Sequence, residues 1–171
     1  EAGVDTARAL AVKTGMEARF EAATNGVFSD DTARFAGHYF NAVVLSFDGP
    51  EAIHDRNRPV NGHRGSFTRV ARTAALLSES PVELCFRMCV THESVGRMEA
   101  VVRWFAETFQ PAMINFETLQ ATPESEAAGL RPPDPYAFAE GFVRSRRTLR
   151  AAGIEAVYAA AATGEQARGA R

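Results

Sequence analysis

Amphipathic stretches and short apolar runs alternate along the chain. Apolar residues recur at helical spacing in stretches bounded by capping residues, glycines or prolines, which predicts helices over residues 4–14, 29–38, 66–78, 94–108 and 135–151, with Ser66 capping the third. Shorter runs between them predict strands over residues 17–23, 41–47, 82–91, 112–119 and 154–158. Strands separated by helices favour right-handed βαβ units and a parallel sheet.

The two faces of the predicted strands differ in character. Over residues 82–91 one face carries Leu84 and Phe86, whereas the other carries Cys85 and Arg87, and the other strands divide in a similar way. A doubly wound sheet has helices on both faces and is apolar on both. We therefore predict an α/β fold with helices on the outer face only, a partial barrel whose polar inner face lines a cavity.

Composition and charge exclude several functions. The formal net charge of −2 provides no basic surface for nucleic acid, and no apolar run approaches the roughly 18 residues of a membrane span. The only two cysteines, Cys85 and Cys89, form no disulfide framework, which favours a reducing, cytoplasmic compartment. They also lack the third cysteine of a cluster motif, so we predict no metal ligand in this chain. His54 and His63 share a predicted loop with Asp55 and are interpreted as solvated side chains rather than a metal site.

Polar side chains gather where the second predicted strand ends. Ser46 and Asp48 lie on its inner face, and a short helical turn around residues 51–55 is expected to bring Arg58 back over the strand end. Parallel α/β folds bind ligands at this end. A hydroxyl and a guanidinium together form a good receptor for a carboxylate. The alternative is that Arg58 pairs with Asp48 or Asp55 at the surface.

These residues resemble the radical S-adenosylmethionine superfamily. The run Ser46-Phe47-Asp48-Gly49-Pro50, followed by Ile53-His54-Asp55, Arg58 and Asn61-Gly62, resembles the family's fourth-strand motif and the loop after it. Thr24-Asn25-Gly26 resembles the third-strand turn, and residues 85–91 and 114–119 resemble the fifth and sixth strands. The motif is similar above all to the branch with an extra C-terminal cluster domain of the SPASM type, which includes maturases of sulfatases and of ribosomally made peptides.

The resemblance implies a partial (β/α)6 barrel and an enzyme of known chemistry. Residues 1–158 would supply roughly strands three to six or seven of the barrel, and residues 159–171 a polar tail or the start of a linker. The cofactors implied are S-adenosylmethionine and a [4Fe-4S] cluster, which together yield a 5′-deoxyadenosyl radical that removes hydrogen from a peptide or protein substrate.

The resemblance also assigns roles to residues on the inner face. The implied cofactor-binding residues are Ser46, Arg58, Leu119, Asn25 and Arg87. Ser46 and Arg58 would hold the methionyl carboxylate, Leu119 would lie beside the adenine, and Asn25 near the ribose. Asp48 and Glu117 would face the substrate, and Arg87 is expected to pair with Glu117 because both charges point into one cavity.

The chain departs from the family in what it lacks. The C-x-x-x-C-x-x-C loop and the Gly-Gly-Glu-Pro motif are absent, and nothing after Tyr158 resembles the auxiliary cluster domain. We therefore expect an internal fragment, inactive by itself, whose full-length protein supplies the first two strands, the cluster ligands and the auxiliary domain. The alternative function is a non-catalytic, degenerate barrel module that binds a peptide or a partner chain. A third interpretation is a different α/β barrel enzyme in which Ser-x-Asp-Gly is a coincidence.

Overall fold

Five parallel strands lie side by side in one sheet, in the order in which they occur along the chain. The computed structural model describes residues 2–58 and 65–158. The strands are β1 (Glu21–Thr24), β2 (Ala42–Ser46), β3 (Glu83–Val90), β4 (Met113–Thr118) and β5 (Glu155–Tyr158). Each strand pairs in parallel with the next one in sequence. The predicted order and direction of the strands are confirmed, because helical connections return the chain to the same edge of the sheet.

The connections contain α-helices and one short 3₁₀ turn. The helices are α1 (Ala2–Lys13), α2 (Asp30–Tyr39), α3 (Glu51–Asn57), α4 (Phe67–Ser78), α5 (Met98–Thr108), α6 (Pro123–Ala127) and α7 (Pro135–Ala151), and the 3₁₀ turn is Val95–Arg97. Helix α3 is the expected helical turn, whereas α6 lies between the strand predicted over residues 112–119 and the helix predicted over residues 135–151, where no element was predicted. It forms because Thr122 and Ser125 cap it reciprocally and Pro123 occupies its first position. Among the described residues, no helix has the length and apolar character needed to cross a membrane.

The core lies between the helices and the apolar face of the sheet. Its strand residues come from alternate positions, among them Leu45, Phe86 and Phe116, which are fully buried. The helices add Leu77 of α4 and Phe105 of α5 to the same core. Burying one such side chain contributes about 1.5–3 kcal/mol. The predicted division of the strands into an apolar and a polar face is confirmed.

The opposite face of the sheet carries polar side chains in register. Ser46 of β2 neighbours Arg87 of β3, which in turn neighbours Asn115 of β4. Cys89 of β3 and Glu117 of β4 are neighbours two residues further along, on the same face. Since the helices pack on the apolar face, this polar face forms the inner wall of a partial barrel.

Strand β1 begins later than predicted. The pattern predicted residues 17–23, but pairing starts where Glu21 meets Ala42, the first residue of β2. Before that point the Asn41 side chain accepts a hydrogen bond from the Phe20 amide at 2.9 Å. The backbone amide of Asn41 donates to the Phe20 carbonyl at 2.8 Å. A side-chain amide therefore replaces the ladder where the neighbouring strand has not yet begun.

Candidate functional site

A buried carboxylate, Asp48, lies at the centre of the candidate site. Its side chain has no exposed surface. Oδ1 accepts from Arg58 Nη2 at 3.1 Å and from the Cys89 amide at 2.9 Å, and Oδ2 accepts from Arg58 Nε at 2.9 Å. Three of about four acceptor positions on the carboxylate are thus occupied by protein donors. The contact with substrate that the resemblance implies for Asp48 stays a prediction.

Arg58 reaches Asp48 because helix α3 returns the chain to the end of β2. Gly49 makes the turn at a φ of 141°, a value that favours glycine. At the far end of α3 the Arg58 amide donates to the His54 carbonyl at 2.8 Å, and the Asn57 side chain donates to the Cys89 carbonyl at 3.3 Å. Of the alternatives left open by the sequence, Arg58 does pair with Asp48, but the carboxylate is buried rather than at the surface. The Arg58 side chain is 29% exposed, so it is not fully enclosed by its contact with Asp48.

Ser46 and Arg87 form the second half of the site. Arg87 Nη2 donates to the Ser46 hydroxyl at 3.2 Å, so the hydroxyl keeps its own proton to donate. Arg87 Nε lies 3.8 Å from Glu117 Oε2, which confirms the predicted ion pair. That distance is too long for a hydrogen bond, and within the described ranges Nε is buried without a hydrogen-bond partner. The Oδ1 atom of Asn115, on the neighbouring strand, is in the same state.

Leu119 and Asn25 lie after the carboxyl ends of β4 and β1. Leu119 is half-buried, and its amide donates to the Val90 carbonyl at 2.9 Å. Asn25 is exposed, and its side-chain oxygen accepts from the Val27 amide at 3.1 Å. Both residues therefore lie at the ligand-binding edge of the sheet, and the roles implied for them with the adenine and the ribose stay predictions.

His54 is a site residue whose place the sequence interpretation missed. The prediction of a solvated loop residue was wrong, because α3 forms and buries the imidazole completely. Its Nδ1 accepts from the Asp48 amide at 3.4 Å, and its Nε2 lies 3.0 Å from the Ser66 hydroxyl. The same interpretation of His63 falls outside the described residues. The available signal was the expected helical turn itself, since a helix at this point carries one of its side chains into the core.

Asp55, rather than Ser66, caps helix α4 through its side chain. Ser66 occupies the N-cap position, but its hydroxyl turns to His54 and donates to the Arg58 carbonyl at 3.4 Å. Asp55 Oδ1 accepts from the Phe67 amide at 2.8 Å instead. A Cβ atom on Gly65 would overlap the Asp55 carboxylate, so any other residue there would displace this capping side chain. Two side chains therefore tie the beginning of α4 to α3.

We expect the protein to lose stability as the pH falls below the ordinary histidine pKa of 6.5, because His54 is buried in its neutral form. Burial lowers the pKa of His54, an effect that outweighs the attraction of Asp48; Arg58 and Asp55 are the other charged groups near it. The unfolded chain takes up the proton first, so acid favours unfolding, by at most about 1.4 kcal/mol per pH unit for one proton. Urea unfolding of the wild type and of His54→Gln from about pH 5 to pH 8 measures this.

The exposed His38 provides the matched control for this experiment. His38→Gln should keep the wild-type pH dependence, whereas His54→Gln should flatten it. A His54→Gln protein with the wild-type slope would show that His54 does not titrate as described.

The two cysteines lie on the inner face as thiols. Burial raises the pKa of Cys89 to about 12 and that of Cys85 to about 11. Both side chains are therefore weakly nucleophilic thiols at neutral pH. In the part of the chain that the structure describes, no group of three or more His, Cys, Asp or Glu side chains could hold a metal ion.

The parallel sheet with helices on one side and a polar inner face defines a class of fold, the partial α/β barrel. In sequence, the chain is 33% identical over 85 residues to the cysteine-type anaerobic sulfatase-maturating enzyme of Clostridium perfringens (strain 13 / Type A). The enzyme of the same name from strain ATCC 13124 matches to the same extent. The matched part is 49% of this chain but 23% of that enzyme, so the chain spans about a quarter of these relatives. No protein-family model matches the chain.

Solved structures with the same fold cover most of the chain. Native anSMEcpe with bound AdoMet and Cp18Cys peptide has a TM-score of 0.68 at 22% identity, over 84% of this chain and 42% of that one. A domain of pyruvate-formate lyase-activating enzyme from Bacteroides vulgatus ATCC 8482 has a TM-score of 0.58 at 13% identity, over 91% of this chain and 88% of that one. These comparisons confirm the predicted partial barrel and the resemblance to the radical S-adenosylmethionine family.

Proposed function

We propose that this chain is the central part of the barrel of a radical S-adenosylmethionine maturase, an enzyme that modifies a peptide or protein substrate. The observation that carries the proposal is a pair of polar contacts near the carboxyl end of β2. Ser46, the last residue of the strand, accepts from Arg87 of the neighbouring strand, and Asp48, just after the strand, is paired with Arg58. This edge is where parallel α/β folds bind ligands. The sulfatase-maturating relative and the neighbour with bound AdoMet and peptide support the same function.

The donors of the cluster fit a carboxylate ligand such as the methionyl group of S-adenosylmethionine. Arg58 offers its Nη1 protons, and Ser46 offers a hydroxyl proton. Arg87 orients that hydroxyl and offers the buried Nε that lacks a partner among the described residues. A buried polar atom without a partner is costly, so a ligand that satisfies it gains affinity. In this arrangement Asp48 acts on the ligand through Arg58, whose guanidinium it holds in one orientation.

The remaining roles are those that the resemblance implies for residues along the same edge. We assign the adenine to Leu119 and the ribose to Asn25, while Glu117, which is 40% exposed on the inner face, is accessible to a substrate. S-adenosylmethionine and a reduced [4Fe-4S] cluster would together supply the radical chemistry that removes hydrogen from the substrate. The cluster ligands would come from outside this chain, whose own residues bind and orient the cofactor and the substrate.

Arg58→Ala in the full-length protein is expected to weaken S-adenosylmethionine binding about tenfold or more, equivalent to roughly 1.4 kcal/mol. The reason is the loss of the charge-assisted bonds that the guanidinium would make to the carboxylate. Isothermal titration calorimetry measures the affinity, and iron content with cluster absorption should stay at the wild-type level. Arg58→Lys keeps a positive charge beside Asp48 but loses the planar fork, so its affinity for S-adenosylmethionine should lie between those of the wild type and Arg58→Ala.

Arg34→Ala is the matched control for Arg58→Ala. Arg34 lies on α2 with 59% of its side chain exposed and pairs only with Asp30 and Asp31 among the described residues. Its replacement should leave the affinity for S-adenosylmethionine unchanged. Equal affinities in the wild type, Arg34→Ala and Arg58→Ala would refute the assignment of Arg58.

A non-catalytic module that binds a peptide or a partner chain is the second candidate function. Two observations support it, the fold and the lack of a cluster motif in these 171 residues. The coding sequence upstream of this chain discriminates between the two. Three cysteines at C-x-x-x-C-x-x-C spacing there are expected for the enzyme, and their absence would favour the binding module.

A further inference from the structure

A closed ring of interactions connects Asp48 to Arg58 through His54 and Ser66. The Asp48 amide donates to His54 Nδ1 at 3.4 Å, His54 Nε2 lies 3.0 Å from Ser66 Oγ, and Ser66 Oγ donates to the Arg58 carbonyl at 3.4 Å. The Arg58 guanidinium returns to the Asp48 carboxylate and completes the ring. The backbone and the side chain of Arg58 are therefore both held, by separate partners.

The direction of each hydrogen bond in the ring is fixed by chemistry. A backbone amide can only donate, so His54 Nδ1 must be the unprotonated acceptor. The proton of the neutral ring is then on Nε2, which donates to the Ser66 oxygen. The Ser66 hydroxyl proton is left for the Arg58 carbonyl, which can only accept. One tautomer of a neutral imidazole satisfies every link.

The imidazole is held rigidly by its surroundings. It packs edge-on against Phe47 with ring centroids 5.2 Å apart, and Phe67 lies on another side at 6.4 Å. Asp55, next to it in α3, caps α4 at the Phe67 amide. Because α3 and α4 are fastened to each other at this point, a shift of Ser66 would move the carbonyl of Arg58 as well.

We propose that His54 and Ser66 are positioning residues for Arg58, which set the place from which its guanidinium meets the carboxylate of the cofactor. This inference rests on the proposed function. The hydrogen bonds of the His54 and Ser66 side chains end at the backbone of Asp48 and of Arg58 and do not extend to the inner face of the sheet. Both residues therefore act on the ligand through Arg58. Their effect on affinity should consequently depend on the presence of the Arg58 side chain.

The test is a double-mutant cycle on S-adenosylmethionine affinity in the full-length protein, measured by isothermal titration calorimetry. Ser66→Ala is expected to weaken binding about threefold to tenfold, the equivalent of one ordinary hydrogen bond. In an Arg58→Ala background the same replacement should have no further effect. A role limited to stability would give equal losses in both backgrounds and would overturn the proposal.

His54→Asn tests the same ring from its other member. The shorter amide places an acceptor near the position of Nδ1 but does not reach Ser66, so its effect should match that of Ser66→Ala and not add to it. If His54→Asn does not fold, the Ser66 cycle decides the question by itself. Ser78→Ala is the matched control, since Ser78 is an exposed residue of α4 whose hydroxyl donates to the Ala75 carbonyl at 2.8 Å.

The outcomes separate this inference from the proposed function. If Arg58→Ala weakens binding but Ser66→Ala and His54→Asn do not, only the positioning role is refuted. If Arg58→Ala binds S-adenosylmethionine as tightly as the wild type does, or if the wild type does not bind it, both proposals are refuted.

Discussion

Asp48→Asn is expected to lower the free energy of unfolding of the protein by about 3–5 kcal/mol, the cost of breaking a buried ion pair from one side. The carboxylate is fully buried and accepts both arms of the Arg58 fork and the amide of Cys89. The asparagine amide has nearly the same volume, so no cavity confuses the result. Its NH₂ group would, however, face a donor of Arg58 or Cys89. Urea unfolding measures the loss of stability.

The same replacement should also weaken S-adenosylmethionine binding, because the guanidinium of Arg58 loses its orientation. Asp31→Asn is the control, since the Asp31 side chain is 97% exposed and pairs with Arg34 at 3.5 Å. Such a surface pair contributes about 0–1 kcal/mol. If Asp48→Asn costs no more than Asp31→Asn, the buried pair is not the central interaction of the site.

Phe47→Ala is expected to cost about 3–5 kcal/mol, as for other large-to-small replacements in a core. The ring is fully buried and lies at the centre of an aromatic cluster. Its ring centroid is 5.2–5.9 Å from those of six neighbours, which are His54, Phe67, Phe86, Trp104, Phe105 and Phe109. Removal leaves a cavity behind the strand end, and edge-to-face contacts of about 0.5–1.5 kcal/mol each are lost with it.

Phe47 stands between Ser46 and Asp48 in sequence, with its side chain in the core on the other side of the strand. The cavity should therefore loosen both residues and weaken S-adenosylmethionine binding along with stability. Tyr136→Ala removes an aromatic ring that is 83% exposed, and it should change stability by no more than about 0.5 kcal/mol. A Phe47→Ala protein as stable as Tyr136→Ala would contradict the role given to the aromatic cluster.

Local patterns were sufficient to predict the order of the strands and the two faces of the sheet. The alternation of Leu84 and Phe86 with Cys85 and Arg87 identifies the two faces, because successive strand residues point to opposite sides whatever the rest of the chain does. The same rule places Ser46 on the inner face of β2 at the strand end. The Arg87–Glu117 pair follows too, since both charges lie on the inner face of neighbouring strands.

The contacts of α3 and of the beginning of α4 were decided by the tertiary structure alone. The sequence places His54, Asp55 and Ser66 near one another in the chain, but it does not show which of them is buried and which caps a helix. That choice depends on how α3 packs against Phe47 and how closely Gly65 approaches Asp55. Likewise, the acceptor positions of the Asp48 carboxylate are occupied by donors from Arg58 and from Cys89, which is 41 residues away in sequence. Propensity and periodicity describe neighbours along the chain, whereas hydrogen bonds between distant groups exist only once the helices have packed on the sheet.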